Sequence, residues 1–501
     1  MCDLYLEIKC LSSPFNLIHV RAMKYWLAWF ILLFHVSATA QLTWTTSGDV
    51  APDTCSNMHP RLCLDGAGNP LVVWGRMNDQ TVFFSRWTGS AFSAPVILNP
   101  PWMPVATASW MGPDIASHGD TVYVVVKRIP ESADSNRIFL FASFNGGVSF
   151  SNPVELGFIA DSISRFPAVT TDATGNPIVA FMKFNSSFLD SRWAVLRSSD
   201  YGNTFTTDTK ASGWGGSAEV CDCCPGEIIS EGNTCVMLYR DNNANLRDSW
   251  AGISADNAIS FTNGCAVDDN NWVIAACPAS GPDGVIVGDT LYATFMSGGT
   301  GSYQAYLSKT CLGSNTLCSI EPLTGNIPGL SQQNYPRIAN DGSAIAIVWK
   351  QSVNGDAQLP ILLTPDITNG FPASYDTVAV NNVTNADVKL KNSRVWVVWQ
   401  DNASGTVRYK TGTYSAPTGL REEFDTNPFS VFPNPAGEEL NVASDLSSVF
   451  TIRVYTVLGK LVYQETVQGK TTVSLTDWSE GLYLMALEAG DRVYRKKFFK
   501  H

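Results

Sequence analysis

Residues 335–349 read YPRIANDGSAIAIVW: a proline, a charged residue, an aliphatic one, a short turn on Asn340, Asp341 and Gly342, and an alternating apolar strand ending on Trp349. The same order recurs as HPRLCLDGAGNPLVVW from His59, GPDIASHGDTVYVVV from Gly112, FPAVTTDATGNPIVAF from Phe166 and PGEIISEGNTCVMLY from Pro225. It continues as GPDGVIVGDTLYATF from Gly281 and, more weakly, NADVKLKNSRVWVVW from Asn385. Seven copies at intervals of about fifty to sixty residues match the scale of a four-stranded blade, each copy supplying two strands and a second hairpin following it. The pattern predicts an all-β chain built on a six- or seven-bladed β-propeller, with seven favoured and the ring closed by an N-terminal strand around Leu42 to Thr46.

The composition agrees. Hydrophobic residues make up 45% of the 501 residues and charged ones 16%, with abundant Gly, Trp, Tyr and Phe, as many short strands and tight turns require. A formal net charge of -12 repels phosphates and argues against nucleic acid or an anionic membrane as a partner. The five histidines are scattered singly, so no metal or other cofactor is expected.

The second hairpins carry a finer signature. Ser198-Ser199-Asp200-Tyr201-Gly202-Asn203-Thr204-Phe205 and Ser143-Phe144-Asn145-Gly146-Gly147-Val148-Ser149-Phe150 share the pattern S-x-D/N-x-G-x-T/S-F, Ser254 to Phe261 repeats it with Ala258 for Gly, and Ser85 to Phe92 is a decayed copy. An Asp or Asn side chain can accept backbone N–H groups inside such a turn while Gly takes the positive-φ place. These turns match the Asp box, and residues 42–415 resemble the sialidase-type (BNR repeat) propellers. The resemblance implies the fold; such propellers serve both as glycosidases and as binding modules.

At the N-terminus the apolar run Trp26 to Val36 follows Arg21 and Lys24 and precedes Ala38-Thr39-Ala40. Basic, apolar and small-residue segments in that order predict a signal peptide over residues 1–40, cleaved before Gln41. Met23 stands where such a leader would begin. The run is too short to span a membrane comfortably, and no later segment is longer. Of twelve cysteines, Cys2 and Cys10 fall in the leader, and the remaining ten are expected as disulfides in an exported chain. Cys55 with Cys63 and Cys311 with Cys318 are near enough to staple local loops, leaving Cys221, Cys223, Cys224, Cys235, Cys265 and Cys277 to pair among themselves. A crosslink from the Cys221–Pro225 run to Cys277 would join two neighbouring blade entrances. Cys221-Asp222-Cys223-Cys224 offers thiolates to zinc, but no His and no second CxxC accompany it.

Past a linker over residues 416–428 the pattern changes. Pro433-Asn434-Pro435-Ala436, Tyr455 to Lys460 and Gly481-Leu482-Tyr483 follow in order, with a basic tail Arg495-Lys496-Lys497. Residues 429–501 resemble the type A sorting domain of the type IX secretion system found in Bacteroidota. That implies a small C-terminal β-sandwich recognised by the outer-membrane translocon, and a chain secreted or held at the outer cell surface.

Aligning the seven copies puts Arg61, Asp114, Ala168, Glu227, Asp283, Arg337 and Asp387 at one repeat position. A propeller gathers such residues around its axis. A second basic set, Arg76, Lys127 with Arg128, Lys183, Arg240 and Lys350, ends the following strand and is expected at the same mouth. The sialidase resemblance implies an arginine clamp on a substrate carboxylate, suited to bidentate guanidinium, here Arg61 and Arg337 with Arg76 or Arg240. It also implies an acid/base Asp, Asp114 or Asp283, and Glu227 beside a nucleophilic Tyr, either Tyr335 or Tyr409. One departure stands against it: the family's Arg-Ile-Pro before the first inner strand is replaced by His59-Pro60-Arg61-Leu62. The chain is therefore expected to recognise and hydrolyse acidic, sialylated glycans or glycoproteins, or to bind glycan or protein without catalysis.

Overall fold

The computed structural model describes residues 42–131, 137–157, 162–187, 189–216, 219–415, 429–444, 449–457, 459–489 and 492–501. The expected signal peptide and linker lie outside the described residues. The chain divides into two compact units, with the boundary between Pro417 and Thr418.

The first unit is a seven-bladed propeller. Blade 1 comprises strands Asn57–Leu64, Pro70–Arg76, Thr81–Arg86 and Val96–Ile97, and blade 2 Asp114–His118, Thr121–Lys127, Ile138–Ser143 and Val154–Leu156. Blades 3 to 6 open on Ser162–Thr171, Glu227–Glu231, Asp283–Val287 and Leu330–Asp341, each again four antiparallel strands. Blade 7 takes Val383–Lys391, Arg394–Asp401 and Thr406–Thr413, and its outer place is filled by Thr43–Trp44 and Gly48–Ala51, both paired antiparallel with Thr406–Thr413. The N-terminal strand thus closes the ring as the repeat predicts.

The first strands of successive blades touch one another all the way round, so they line the axis. Second strands lie between neighbouring blades, which is why they read as unbroken apolar runs: Leu71 to Trp74 and Val122 to Val126 are fully buried. Four inner strands carry a bulge just ahead of the repeat's charged position. His59, Phe166, Tyr335 and Asn385 adopt φ of 46° to 54°, and the register slips there. Pro60, Pro167 and Pro336 come next; a residue without an N–H is tolerated where the ladder is already interrupted.

The box turns form one repeated hydrogen-bond net. In blade 3, Ser198 Oγ accepts from Asp200 N and Gly202 N, while Asp200 accepts from Thr204 N at 2.9 Å and Thr204 Oγ1 at 2.6 Å. Blade 4 repeats this through Ser254, Asp256 and Ser260, and blade 2 through Ser143, Asn145 and Ser149. In the decayed copy, Ser85 Oγ donates instead to Ser93 O.

The second unit packs a three-stranded sheet (Phe429–Phe432, Glu439–Ser444, Lys470–Ser474) and a four-stranded one (Val449–Thr456, Leu461–Gln468, Gly481–Ala489, Arg492–Lys500) around Phe429, Leu440, Phe450, Ile452, Met485 and Phe498. Among the described residues no helix is long and apolar enough to cross a membrane.

The box nets make a stability prediction. Ala258 sits at φ 59° where the other turns have Gly147 and Gly202, so Ala258→Gly is expected to be neutral or stabilising, since an L-residue in that region costs about 1–2 kcal/mol. Ser198→Ala strands two backbone donors and is expected to cost about 1–3 kcal/mol. Urea unfolding of the two variants checks both signs.

Candidate functional site

The aligned residues meet at one level of the axis. Arg61, Asp114, Ala168, Glu227, Asp283, Arg337 and Asp387 pair with Val73, Val125, Ala180, Leu238, Thr294, Val348 and Val398, equivalent places on the second strands. The ring separates two cavities. One, of about 60 Å³, is lined by His59, Arg61, Trp110, Asp114, Glu227, Tyr335 and Arg337. The other, about 330 Å³, lies among the inner strands, with Ser117, Thr170, Ser230, Asn340 and Lys389 in its wall besides Asp283 and Asp387. The first falls well below the size of ligand pockets and the second reaches only their lower end.

Within the ring the charges answer one another. Arg337 Nη1 donates to Glu227 Oε2 at 2.6 Å, and its Nε lies 3.2 Å from Asp283 Oδ2 and 3.4 Å from Asp387 Oδ1. The aspartates also hold backbone. Asp114 Oδ2 accepts from Val169 N at 2.8 Å, Asp283 Oδ2 from Ile338 N at 2.9 Å and Asp387 Oδ2 from Leu62 N at 2.9 Å. Each bond runs to the inner strand of the next blade. Arg61 differs, its Nη1 donating to Pro60 O at 2.9 Å.

Burial dominates the protonation of this ring. It pushes the carboxyls of Asp114 and Glu227 upward against the opposing pull of Arg337 and Arg61, and raises Asp283 to about 6. For Asp387, Lys389, Arg337 and Arg61 outweigh burial and hold the carboxyl low. His59, buried beside both arginines, is held well below its ordinary value and stays neutral. Its ring fills the space that a Cβ on Gly112 would need, 2.5 Å away, so only glycine fits there.

The second basic set does not join the ring. Arg76 pairs with Asp53 and Asp79 and lies over Phe83. Arg240, fully buried, donates to the carbonyls of Ser280, Arg247 and Met296. Lys127 pairs with Glu131, and Lys183 with Asp208 at 2.8 Å. Ending the second strand sets height along the axis but not radius, and Arg76, Arg240, Lys127 and Lys183 find their partners away from the ring. Tyr335 lines the smaller cavity, its phenol raised chiefly by burial, whereas Tyr409 packs with Trp87, Phe92 and Trp396. The sequence reading passed over Trp110, which is 44% exposed on the cavity wall; it lies just before a repeat copy, where no pattern marks it.

Cysteine pairing departs from expectation in part. Cys311–Cys318 and the crosslink Cys223–Cys277 form. Cys55 and Cys63 do not pair: Cys55 is exposed ahead of the inner strand, while Cys63 points into the apolar core of blades 1 and 2. Cys221, Cys224, Cys235 and Cys265 are buried thiols. Cys221, Cys223 and Cys224 gather their sulfurs, but Cys223 is committed to its bridge, leaving two thiols rather than a zinc set.

Residues 430–501 match the family described as "Secretion system C-terminal sorting domain". This domain marks the chain for secretion to the cell surface through the type IX translocon. No curated protein matches the chain. Among solved structures it is similar to a protein of unknown function from Dyadobacter fermentans, at 12% identity, covering 61% of this chain and 94% of that one, with a TM-score of 0.45. It is also similar to an α-L-arabinofuranosidase of Fusarium graminearum in complex with arabinobiose (11%, 65% and 99%, 0.43). A third is a Trypanosoma rangeli sialidase mutant displaying trans-sialidase activity (11%, 91% and 88%, 0.43).

Two outcomes follow from the ring and its surroundings. Arg337→Ala leaves three buried carboxylates without their nearest cation and is expected to cost about 3–5 kcal/mol, whereas Arg61→Ala, whose guanidinium bonds none of them, is expected to cost less; denaturant midpoints at pH 7 separate them. Burial also raises Asp268 to about 7 and Asp241 to about 6. With unfolded values near about 4, these groups keep protons in the fold that the unfolded chain releases, so their contribution falls as pH rises from about 4 through 7. Calorimetry should find the propeller transition higher at pH 5.5 than at pH 8, and Asp268→Asn should shrink the difference.

Proposed function

We propose that the exported propeller is a glycan-binding module whose ring is architectural and whose ligand meets the channel mouth around Trp110 and Arg61. The carrying observation is that Arg337 faces three carboxylates while the ring aspartates are bonded to neighbouring backbone. A carboxylate clamp needs guanidinium groups with donors to spare, and Arg337 has few. Arg61 keeps donors toward the cavity. Exposed Trp110 offers a flat apolar face of the kind sugars stack on, and an amphipathic ring of this sort is common at recognition surfaces.

Hydrolysis of sialylated glycans is the second reading. One observation favours it: Asp114 and Glu227, both pushed toward the neutral form, share a cavity with the Tyr335 phenol, and a raised carboxyl is what a general acid needs. Against it, the cavity is too small for a sugar ring and the arginine set is incomplete.

The full secreted chain should bind glycans on an array without releasing sialic acid from mixed sialoglycoproteins, and Trp110→Ala should weaken binding at least tenfold with an unchanged denaturant midpoint. Sialic acid release abolished by Arg61→Ala would overturn the binding-module reading in favour of the hydrolase.

A further inference from the structure

Between the entrances of blades 4 and 5 lie four sulfurs that the channel does not use. Cys221 Sγ is 3.4 Å from Cys223 Sγ and 3.2 Å from Cys224 Sγ, and Cys223 is bridged to Cys277 across 54 residues of sequence. Arg247 Nη1 lies 3.0 Å from Cys221 Sγ and 3.7 Å from Cys223 Sγ. Cys221 and Cys224 are buried and Cys277 is exposed. A thiol thus sits in contact with a disulfide, with a guanidinium over both and a second thiol behind.

We propose that Cys221, Cys223, Cys224 and Cys277 form a thiol–disulfide exchange centre that passes one disulfide between the Cys223–Cys277 pair and the Cys221–Cys224 pair. In the first step the Cys221 thiolate attacks Cys223 Sγ. The Cys221–Cys223 bond forms, the Cys223–Cys277 bond breaks, and the electron pair leaves on Cys277, which takes a proton from water. In the second step Cys224, having lost its proton, attacks Cys221 Sγ; the Cys221–Cys224 bond forms and the pair leaves on Cys223 beside Arg247. One disulfide and two thiols exist before and after, so no external oxidant enters.

The electrostatics suit this order. The hydrogen bond shared with Cys224, then Arg247 and Arg240, draw the Cys221 thiol down to about 6 against burial, with Asp241 the nearby opposing charge. Burial and the charge on Cys221 push Cys224 up, so Cys221 is the sulfur that attacks and Cys224 the one that resolves. The exposed Cys277 is where a small external thiol or disulfide gains access. Pro225 and Gly226 follow the cysteine run, and Ala279 and Gly281 follow Cys277; all four line the smaller cavity. Moving the disulfide therefore unties two stretches of that wall.

The test uses the full secreted chain purified without reductant and held at pH 7.5 in excess N-ethylmaleimide, with disulfides mapped by mass spectrometry. Label on Cys223 and Cys277 should accumulate together with a Cys221–Cys224 bridge. In Cys221→Ser, labelling of Cys277 should fall at least tenfold with Cys223–Cys277 intact. Cys224→Ser should stall at a Cys221–Cys223 bridge with Cys277 labelled, which keeps the test open if the first variant fails to fold. Equal labelling of Cys277 in wild type and Cys221→Ser would overturn the proposal. So would both bridges present at once with no thiol in the cluster, or stoichiometric zinc retained by the three clustered sulfurs.

Discussion

The propeller depends on side chains that join sheets which share no ladder. Each blade is hydrogen-bonded within itself, so the ring of seven must be held by apolar packing and by bonds that cross each junction. At three junctions a ring aspartate does this, its carboxylate accepting the N–H of the next inner strand: Asp114 to Val169, Asp283 to Ile338 and Asp387 to Leu62. A charged acceptor makes such a bond worth about 1.5–3 kcal/mol, and leaving the donor unpaired costs as much again. Three of the other four junctions use neutral or peripheral equivalents, Ser117 Oγ to Leu64 O, Ser230 Oγ to Thr171 O, and Asn392 N to Asp341 Oδ2.

That duty conflicts with catalysis. A general acid must present its proton to a substrate, and a nucleophile's partner must be free to respond as charge develops. Asp283 and Asp387 each spend both oxygens on backbone, since Gly284 N and Val388 N take the second one. Their Arg337 partner compensates charge that would otherwise be prohibitive in a buried ring. Asp114 and Glu227 are less constrained, and they flank the smaller cavity.

The fold was legible because the repeat carries it: a turn and an apolar strand recur seven times, five of them opened by a proline or glycine before a charged residue, and the register of all seven ring residues follows. The closing strand was legible too, since a seventh blade with three strands of its own needs a fourth. The site was legible only in part. Repeat position fixes height along the axis and therefore found the ring, but radius and partnership depend on neighbours distant in sequence. Arg76 meets Asp53 and Arg240 meets three carbonyls, and no local pattern announces either. Cys63 shows the same limit: its eight-residue distance from Cys55 fits a bridge, but strand alternation turns its side chain into the core.

The junction of blades 4 and 5 shows why the sulfurs lie where they do. Glu227 occupies the place of a stapling aspartate, but its carboxylate turns to Arg337, and the Gly284 N–H it would cap is already taken by Asp283 of the same strand. The junction therefore lacks the carboxylate bond that serves three others. In its place stand the guanidinium of Arg240, reaching Ser280 O and Met296 O in the neighbouring blade, and the Cys223–Cys277 bridge. Arg240 joins the two blades through carbonyls that the disulfide does not touch, so the junction keeps a polar tie whichever cysteines are bridged.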